Sequence, residues 1–262
     1  MRRIQFVELE DLPWMPHFIR KGITDFLELL WRAGIPRKKI ASRLAAALKI
    51  SGDTRVVDLC SGGGGPWKKL APALREQGMP VRVVLTDLFP NTDALMLMEK
   101  EGKGSISFSR QRVDAAKVPE ELSGFRTIFG AFHHMLPETA RAILADAANH
   151  GRGIAIFEVT RRSWFVILAC LGIPALLCAV TPFIRPFSWS RLFWTYALPV
   201  IPLALLFDSV MSCLRTYTEE DLRRMTAGLG GEGYTWEIGV DLQFPYFVPI
   251  LRCMGVPGKT LS

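Results

Sequence analysis

The sequence contains few of the residues that disulfide-stapled folds or metal centres need. It has only four histidines and five cysteines, and no two cysteines form a C-x-x-C pair. The odd number and wide spacing of the cysteines argue against a disulfide framework and against a zinc site. We therefore expect no metal, and we expect the polar part of the chain to remain in a reducing cytoplasm.

The chain also lacks two features that would direct it to other partners. Its first residues carry charges, among them Arg2, Arg3 and Glu8, where a signal peptide needs an apolar core. The net charge is +7, but the basic residues are scattered and form no stripe interleaved with aromatic side chains. We therefore predict no nucleic-acid partner, whereas an anionic membrane surface would also attract this charge.

What the chain does have is two long apolar runs in its second half. Trp164–Ile184 contains 21 residues without a charge, and Leu192–Phe207 contains 16. They contribute to the positive mean hydropathy of the chain, and a positive value is high for a soluble enzyme. As helices they would measure about 31 Å and about 24 Å, so only the first is long enough to cross a bilayer core.

The rest of the chain alternates between short apolar runs and amphipathic segments. Residues 1–50 show helical spacing with a break at Gly34 and Pro36, which predicts two helices. Strands alternating with helices are typical of a parallel sheet with right-handed crossovers. The predicted strands are Arg55–Cys60, Val81–Asp87, Ser105–Arg112, Thr127–His133, Gly153–Val159, Tyr234–Val240 and Phe247–Cys253. The predicted helices are Pro66–Gln77, Thr92–Lys100, Pro137–Asn149 and Tyr217–Thr226.

The turn after the first predicted strand contains four consecutive glycines, Gly62–Gly65. A glycine turn between a strand and a helix is where doubly wound folds bind nucleotide-like cofactors. The Gly-Lys-Ser/Thr of a phosphate-binding P-loop is absent, and Trp67 occupies the place of the third glycine in a dinucleotide-binding turn. The pattern therefore argues against both of these cofactor classes.

The segment Val56–Trp67 resembles motif I of class I S-adenosylmethionine-dependent methyltransferases. In that motif an apolar pair, an acid and an apolar residue precede Gly-x-Gly-x-Gly. Asp58 matches the acid, Gly62 and Gly64 match the second and third glycines, and Cys60 takes the place of the first. The resemblance implies that these residues bind S-adenosylmethionine.

Three further segments resemble the same family in its order and spacing. Asp87, followed by Leu88, matches the acid that binds the ribose hydroxyls, and Asp114, followed by Ala115, matches the acid that reaches the adenine. Phe132 lies in the segment that resembles the fourth-strand motif beside the methyl donor. Each acid, taken alone, could equally be a turn or cap residue at the end of a strand.

Methyl transfer needs mainly the correct geometry between the acceptor and the methyl carbon. A base is needed only where the acceptor must lose a proton early. His133, His134 and Glu158 lie at the ends of predicted strands and are the candidate catalytic residues. The alternative for the two histidines is that one packs beside the cofactor and the other is a structural histidine whose hydrogen bonds are satisfied.

The apolar insertion follows the fifth predicted strand and has three possible roles. It could span the membrane as a hairpin, dock by lying in or dipping into one leaflet as a monotopic or re-entrant element, or form a buried lid or dimer contact in a soluble enzyme. A spanning hairpin would place Arg185 and Arg191 outside, against the positive-inside tendency. Docking is favoured because prolines interrupt both runs and aromatic residues suit an interfacial belt. The prolines are residues 174, 182, 186, 199 and 202, and the aromatic residues are Trp164, Trp189, Trp194 and Tyr196.

Together these observations predict an α/β protein with a Rossmann-like, seven-stranded, mostly parallel sheet. We expect N-terminal helices (1–50), a cofactor-binding core (51–160), a membrane-docking insertion (161–212) and a C-terminal completion of the sheet (213–262). The predicted function is methylation of a small lipophilic acceptor on the cytoplasmic side of a membrane. The alternatives are a soluble small-molecule methyltransferase and a non-catalytic membrane-binding module. The acceptor and the oligomeric state are left open.

Overall fold

A computed structural model describes residues 1–33, 37–243 and 248–258 of the chain. The predicted break at Gly34 and Pro36, and Phe247 in the last predicted strand, lie outside these residues. The chain divides into two compact units, each formed by segments that are distant in sequence. The helical unit comprises Met1–Ile35 and Thr160–Tyr217, and the sheet unit comprises Pro36–Val159 and Thr218–Ser262. The boundaries of the four predicted segments stay a prediction.

Helices make up more than half of the helical unit, and other helices flank the strands in the sheet unit. In chain order they are α1 (His17–Ala33), α2 (Arg37–Ser51), α3 (Trp67–Glu76), α4 (Thr92–Glu101), α5 (Pro137–Asn149), α6 (Trp164–Cys170), α7 (Ile173–Val180), α8 (Trp189–Leu192), α9 (Val200–Arg215) and α10 (Glu219–Thr226). The two predicted N-terminal helices are confirmed as α1 and α2.

The sheet unit contains one sheet of seven strands. The strands are β1 (Arg55–Asp58), β2 (Arg82–Leu85), β3 (Ile106–Phe108), β4 (Phe125–Phe129), β5 (Ile154–Glu158), β6 (Tyr234–Gln243) and β7 (Val248–Pro257). Their order is β3-β2-β1-β4-β5-β7-β6. The first five strands are parallel, and β7 is antiparallel to both β5 and β6. The predicted Rossmann-like, mostly parallel sheet of seven strands is confirmed.

The central strands are buried on both faces, as parallel strands covered by helices require. Every residue of β4 and β5 is buried. Trp67 at the start of α3 is fully buried and meets Phe129 edge to face, with ring centroids 5.7 Å apart. Phe129 in turn stacks on Phe157 of β5. The bulky Trp67 therefore fills the space between helix and sheet where a dinucleotide-binding turn needs a glycine.

The fourth strand begins and ends earlier than the predicted Thr127–His133. It ends at Phe129 because Gly130, with φ of +60°, turns the chain away from the sheet. Phe132–His134 then form a short 3₁₀ helix. His133 therefore lies on a turn beyond the strand, and not on the strand itself as predicted, and His134 follows it on the same turn.

The order of the strands places one candidate site at the carboxyl edge of the sheet. The chain runs outward from β1 through β2 to β3, and then returns to the other side of β1 to form β4 and β5. The reversal between β1 and β4 creates a crevice at the carboxyl ends of these strands. Asp58, Asp87 and the 130–134 turn all follow the ends of strands at this edge.

The helical unit is held together by α1, which packs on helices from the insertion. Buried Ile23 and Phe26 of α1 belong to one apolar cluster with Leu177, Ile201 and Leu205. A Cβ atom at Gly22 would lie 2.5 Å from the Ile201 side chain, so the absence of a side chain there permits this close packing. The predicted helical insertion after the fifth strand is thus present, and it shares its core with the N-terminal helix.

Prolines interrupt the two apolar runs, as predicted. Pro174 is the second residue of α7, and Pro199 immediately precedes α9. By length and composition, the helical stretch Trp164–Phe183 is able to cross a membrane, and only 17% of its most apolar window is buried. The second run is bent by 78° between Trp189–Ala197 and Val200–Arg215, in the manner of a broken span or re-entrant loop.

Candidate functional site

Asp58, at the end of β1, holds the start of the glycine turn in place through hydrogen bonds. Its carboxylate accepts hydrogen bonds from the hydroxyls of Ser61, at 2.7 Å, and Thr127, at 2.6 Å. Its backbone carbonyl accepts a hydrogen bond from the Thr86 hydroxyl at 2.8 Å and lies 2.9 Å from the Ser61 hydroxyl oxygen. The side chain is 1% exposed. These contacts fix where β1 ends and the turn begins. A contact between Asp58 and the cofactor stays a prediction.

Burial raises the pKa of Asp58 to about 6, although hydrogen bonds from Thr127 and Ser61 and the nearby Trp67 indole oppose the shift. The Asp87 charge adds a smaller increase. A carboxylate that is this deeply desolvated favours its neutral form. The native protein therefore binds a proton at Asp58 more tightly than the unfolded chain does.

This raised pKa predicts a pH dependence of stability that Asp58→Asn should remove. Between about pH 4 and about pH 6 the native state holds more protons than the unfolded state, so the contribution of Asp58 to stability falls as pH rises. The total change is roughly 3 kcal/mol, since one pKa unit corresponds to about 1.4 kcal/mol. We expect the difference in melting temperature between wild type and Asp58→Asn to fall across this window and stay constant above pH 7. A difference that does not change with pH would contradict the assignment.

Cys60 adopts a backbone conformation that normally favours glycine. Its φ is +56°, and the glycines Gly62 and Gly64 that follow have φ of +52° and +101°. The resemblance placed Cys60 at a glycine position, and the structure gives that position a left-handed backbone. Burial raises the pKa of the Cys60 thiol to about 12, with further contributions from Asp87, Asp58 and Asp114. The thiol is therefore neutral and is not a nucleophile at neutral pH.

Asp87 joins the loop after β2 to the glycine turn. One carboxylate oxygen accepts a hydrogen bond from the backbone N–H of Gly62, and the other from Phe89, both at 2.8 Å. Each oxygen of an ionised carboxylate can accept two hydrogen bonds. The side chain is half-buried, and Leu88 and Phe89 beside it are exposed. Asp87 thus combines a fixed orientation with unused acceptor capacity.

Asp114, the third predicted acid, lies on a loop that packs against the loop of Asp87. Asp114 accepts a hydrogen bond from the N–H of Ala116, beyond the buried Ala115, and this forms a tight turn. Val113 N–H donates to the Asp87 carbonyl at 3.0 Å. The structure therefore brings the predicted acids Asp58, Asp87 and Asp114 to the same edge of the sheet.

Glu158 and His133 form a buried pair at the ends of β5 and the 130–134 turn. Glu158 Oε2 lies 2.8 Å from His133 Nδ1, and Oε1 accepts the backbone N–H of Phe132 at 2.6 Å and of His133 at 3.2 Å. Burial alone would raise the pKa of Glu158, but the charge and hydrogen bond of His133 outweigh it, so the pKa is lowered. The ionised carboxylate therefore accepts, and Nδ1 of His133 donates. His134 lies beside it, with ring centroids 4.3 Å apart.

The sequence analysis did not identify the hydroxyls of Ser61 and Thr127, which support the glycine turn, or the guanidinium of Arg112. Ser61 lies inside the glycine motif and could have been noticed, but Thr127 comes from β4 and has no local signal. The sequence places Arg112 at the end of the third predicted strand, Ser105–Arg112, and assigns it no role in the site. Its guanidinium lies 4.6 Å from the centre of the Phe89 ring, and it donates to the Leu88 carbonyl. This contact links the two loops at the outer end of the site.

No protein-family model and no curated protein matches the chain, so similarity is found only among solved structures. The plantazolicin methyltransferase BpumL, solved in complex with SAH, has a TM-score of 0.58 at 11% identity. The similarity covers 95% of this chain and 94% of that one. The chain has the class I methyltransferase fold.

Other structures share this methyltransferase fold at equally low identity. The O-methyltransferase NcsB1 from neocarzinostatin biosynthesis, in complex with S-adenosylmethionine and a naphthoic acid, has a TM-score of 0.50 at 13% identity. The similarity covers 92% of this chain but 58% of NcsB1, which is the longer protein. A Rhodobacter sphaeroides protein, provisionally described as a zinc-dependent alcohol dehydrogenase, has a TM-score of 0.51 at 15% identity, with 92% and 98% covered. A shared fold does not fix an activity, which depends on the site.

Proposed function

We propose that this chain is a membrane-associated methyltransferase that uses S-adenosylmethionine to methylate a small lipophilic acceptor. The observation that carries the cofactor assignment is the Asp87 carboxylate, which follows β2 and is bonded to the glycine turn after β1. In doubly wound folds an acid in this place accepts hydrogen bonds from ribose hydroxyls. The similarity of the whole fold to BpumL supports the same cofactor.

The residues around the glycine turn fit this cofactor. A Cβ atom added at Gly62, Gly63 or Gly65 would meet no atom within 4 Å, so open space lies beside the turn. Asp87 and Asp114 provide acceptors for the hydroxyl and amino groups of an adenosine, and their negative charge favours a cationic ligand. S-adenosylmethionine supplies an electrophilic methyl group when bound, and the chain contributes binding and orientation.

The buried pair of His133 and Glu158 is suited to hold or remove a proton from the acceptor. Glu158 fixes the orientation and the tautomer of the imidazole through Nδ1, so Nε2 is the nitrogen that exchanges a proton. An acid that orients a histidine in this way is the arrangement that makes histidine an effective general base. The pair lies beyond β4 and β5, at the same edge of the sheet as Asp58 and Asp87.

The helical unit presents an unusually apolar surface, and this supports membrane association. Trp164, Phe165, Phe183 and Trp189 are each between 70% and 79% exposed. Soluble proteins rarely expose so many large apolar side chains together, and such surfaces mark binding sites for proteins or membranes. Tryptophans at the boundary of an apolar segment are typical of the membrane–water interface.

Docking on one leaflet agrees better with the packing of α1 than a spanning hairpin does. Helix α1 shares a core with α7 and α9 and carries Lys21 and Asp25. Asp25 forms an ion pair with Arg191, between the two apolar runs. A hairpin that crossed the bilayer would draw these charges toward hydrocarbon, at a cost of several kcal/mol each. We therefore propose a peripheral or monotopic protein on the cytoplasmic side of the membrane.

The proposal of a lipophilic acceptor follows from this location, because the chain enters the helical unit directly after Glu158. A direct test uses purified protein with methyl-labelled S-adenosylmethionine and, separately, a total lipid extract and a pool of water-soluble metabolites. We expect label in the lipid extract. Label confined to the aqueous pool would instead indicate a soluble methyltransferase with an apolar lid. No calorimetric binding of S-adenosylmethionine would indicate a non-catalytic module.

The proposed membrane contact predicts that Trp164→Ser combined with Phe165→Ser detaches the protein from vesicles. Both side chains are largely exposed, so the fold should persist, while the loss of apolar contact is about 2 kcal/mol or a factor of about thirty in binding. Flotation with phospholipid vesicles measures this. The matched control is Met96→Ser with Leu97→Ser, two exposed apolar residues on α4 of the sheet unit. Equal binding of both double variants would contradict the docking surface.

A further inference from the structure

Charge is almost absent from the surface of the insertion. Between Trp164 and Phe207 the sequence contains two charged residues, Arg185 and Arg191, and no acid. Arg191 is 3% exposed, so its charge is internal to the helical unit, whereas Arg185 is exposed. Arg185 is therefore the charge that this 44-residue stretch presents to its surroundings.

The buried arginine holds the exposed one in place. The Arg191 guanidinium forms an ion pair with Asp25 of α1 and donates from Nη2 to the Ile184 carbonyl at 2.8 Å and the Pro186 carbonyl at 2.9 Å. These two carbonyls flank Arg185 in the chain. Ile184 is 4% exposed and belongs to the apolar cluster of the unit. The backbone on both sides of Arg185 is thus fixed, with Ile184 directed inward and Arg185 outward.

Three exposed aromatic residues lie within four positions of Arg185 in the chain. Phe183 precedes it, and Phe187 and Trp189 follow it and contact each other edge to face at 5.1 Å. A guanidinium among exposed aromatic rings, with no acidic residue in the segment, is unsuited to a protein ion pair but suited to the membrane interface. There the rings enter the upper acyl region while the long arginine side chain reaches the headgroups.

We infer that Arg185 binds the phosphate of anionic lipid headgroups and sets the depth at which the helical unit docks. The planar guanidinium donates two parallel hydrogen bonds to a phosphate, and it is more weakly hydrated than an ammonium group. Anionic lipid suits this site because each basic residue near an anionic membrane surface strengthens binding about fivefold. The inference rests on the proposed membrane association and adds the chemistry of the lipid that is recognised.

Flotation tests this with vesicles of phosphatidylcholine alone or of phosphatidylcholine mixed with phosphatidylglycerol. We expect Arg185→Gln to bind the mixed vesicles about fivefold more weakly than wild type and to bind the neutral vesicles almost equally. Arg75→Gln removes the same charge from an exposed position at the end of α3 and is the matched control. Arg185→Lys keeps the charge and should retain most of the binding to mixed vesicles.

The outcomes separate this inference from the proposed function. If Arg185→Gln matches wild type on mixed vesicles, or loses no more binding than Arg75→Gln, the role of Arg185 is wrong while membrane docking stands. An Arg185→Lys variant as weak as Arg185→Gln would also overturn recognition by charge. If wild type floats with neither type of vesicle, the membrane association itself is wrong.

Discussion

Replacement of Asp87 by asparagine is expected to weaken S-adenosylmethionine binding by a factor of a hundred or more. Each carboxylate oxygen already accepts one backbone N–H and has one lone pair left for a ribose hydroxyl. Hydrogen bonds to a charged acceptor contribute about 1.5–3 kcal/mol each; asparagine loses one of them and makes the other neutral, and together this costs about 3 kcal/mol. The asparagine amide would also direct a donor at the N–H of either Gly62 or Phe89, which distorts the turn.

Calorimetric titration with S-adenosylmethionine measures this loss, and thermal unfolding checks that the sheet remains folded. Glu121→Gln removes an exposed acid of the same unit and should leave the affinity unchanged within a factor of two. A folded Asp87→Asn protein that binds within threefold of wild type would contradict the ribose role. Asp87 would then serve only to tie the loop after β2 to the glycine turn.

The strands and helices of the sheet unit could be predicted from sequence because their signals are local. Short apolar runs and the glycine turn mark where the first five strands lie, and the structure contains all of them. The position of β7 between β5 and β6 could not be predicted, because it depends on antiparallel pairing between distant residues, such as Ile156 with Cys253. The end of β4 was also missed, since the conformation of Gly130 depends on the turn that Glu158 stabilises.

For the same reason, the sequence pattern could not show which segments of the chain pack together in the helical unit. The apolar spacing in α1 predicts a helix with a buried face, but it does not identify the partner of that face. Phe26 belongs to the same apolar cluster as Leu177 and Leu205, more than 150 residues away in the chain, and Asp25 pairs with Arg191 over a similar separation. Such contacts follow only from the three-dimensional packing.

The candidate site shows the same division between local motifs and distant contacts. Asp87 and Asp114 were identified individually, through the resemblance of short segments. His133 and Glu158 were also identified individually, but their contact arises because β4 and β5 are neighbours, with Phe129 beside Phe157 in the parallel register. The residues that follow these two therefore come together, and this converts two separate candidates into one hydrogen-bonded pair.

Replacement of His133 by alanine is expected to lower the rate of methyl transfer by a factor of about 10²–10⁴, with little effect on S-adenosylmethionine binding. This range is typical of a lost general base. Glu158→Gln should give a smaller loss, because the imidazole remains but its orientation and tautomer are no longer fixed by a charge. His150→Ala, on the exposed end of α5, is the matched control and should retain wild-type activity.

The double variant decides whether the two residues act as a unit. If Glu158 acts through His133, then His133→Ala with Glu158→Gln should be no slower than His133→Ala alone, because the function of the carboxylate disappears with the imidazole. Multiplied losses would instead show that Glu158 acts mainly by holding the turn through the N–H groups of Phe132 and His133. Removing the imidazole leaves the buried Glu158 carboxylate without this hydrogen-bond partner, which costs roughly 1–3 kcal/mol of stability, so rates must be compared below the melting temperature of each variant. An active His133→Ala protein with a wild-type rate would show that the acceptor is methylated without this base.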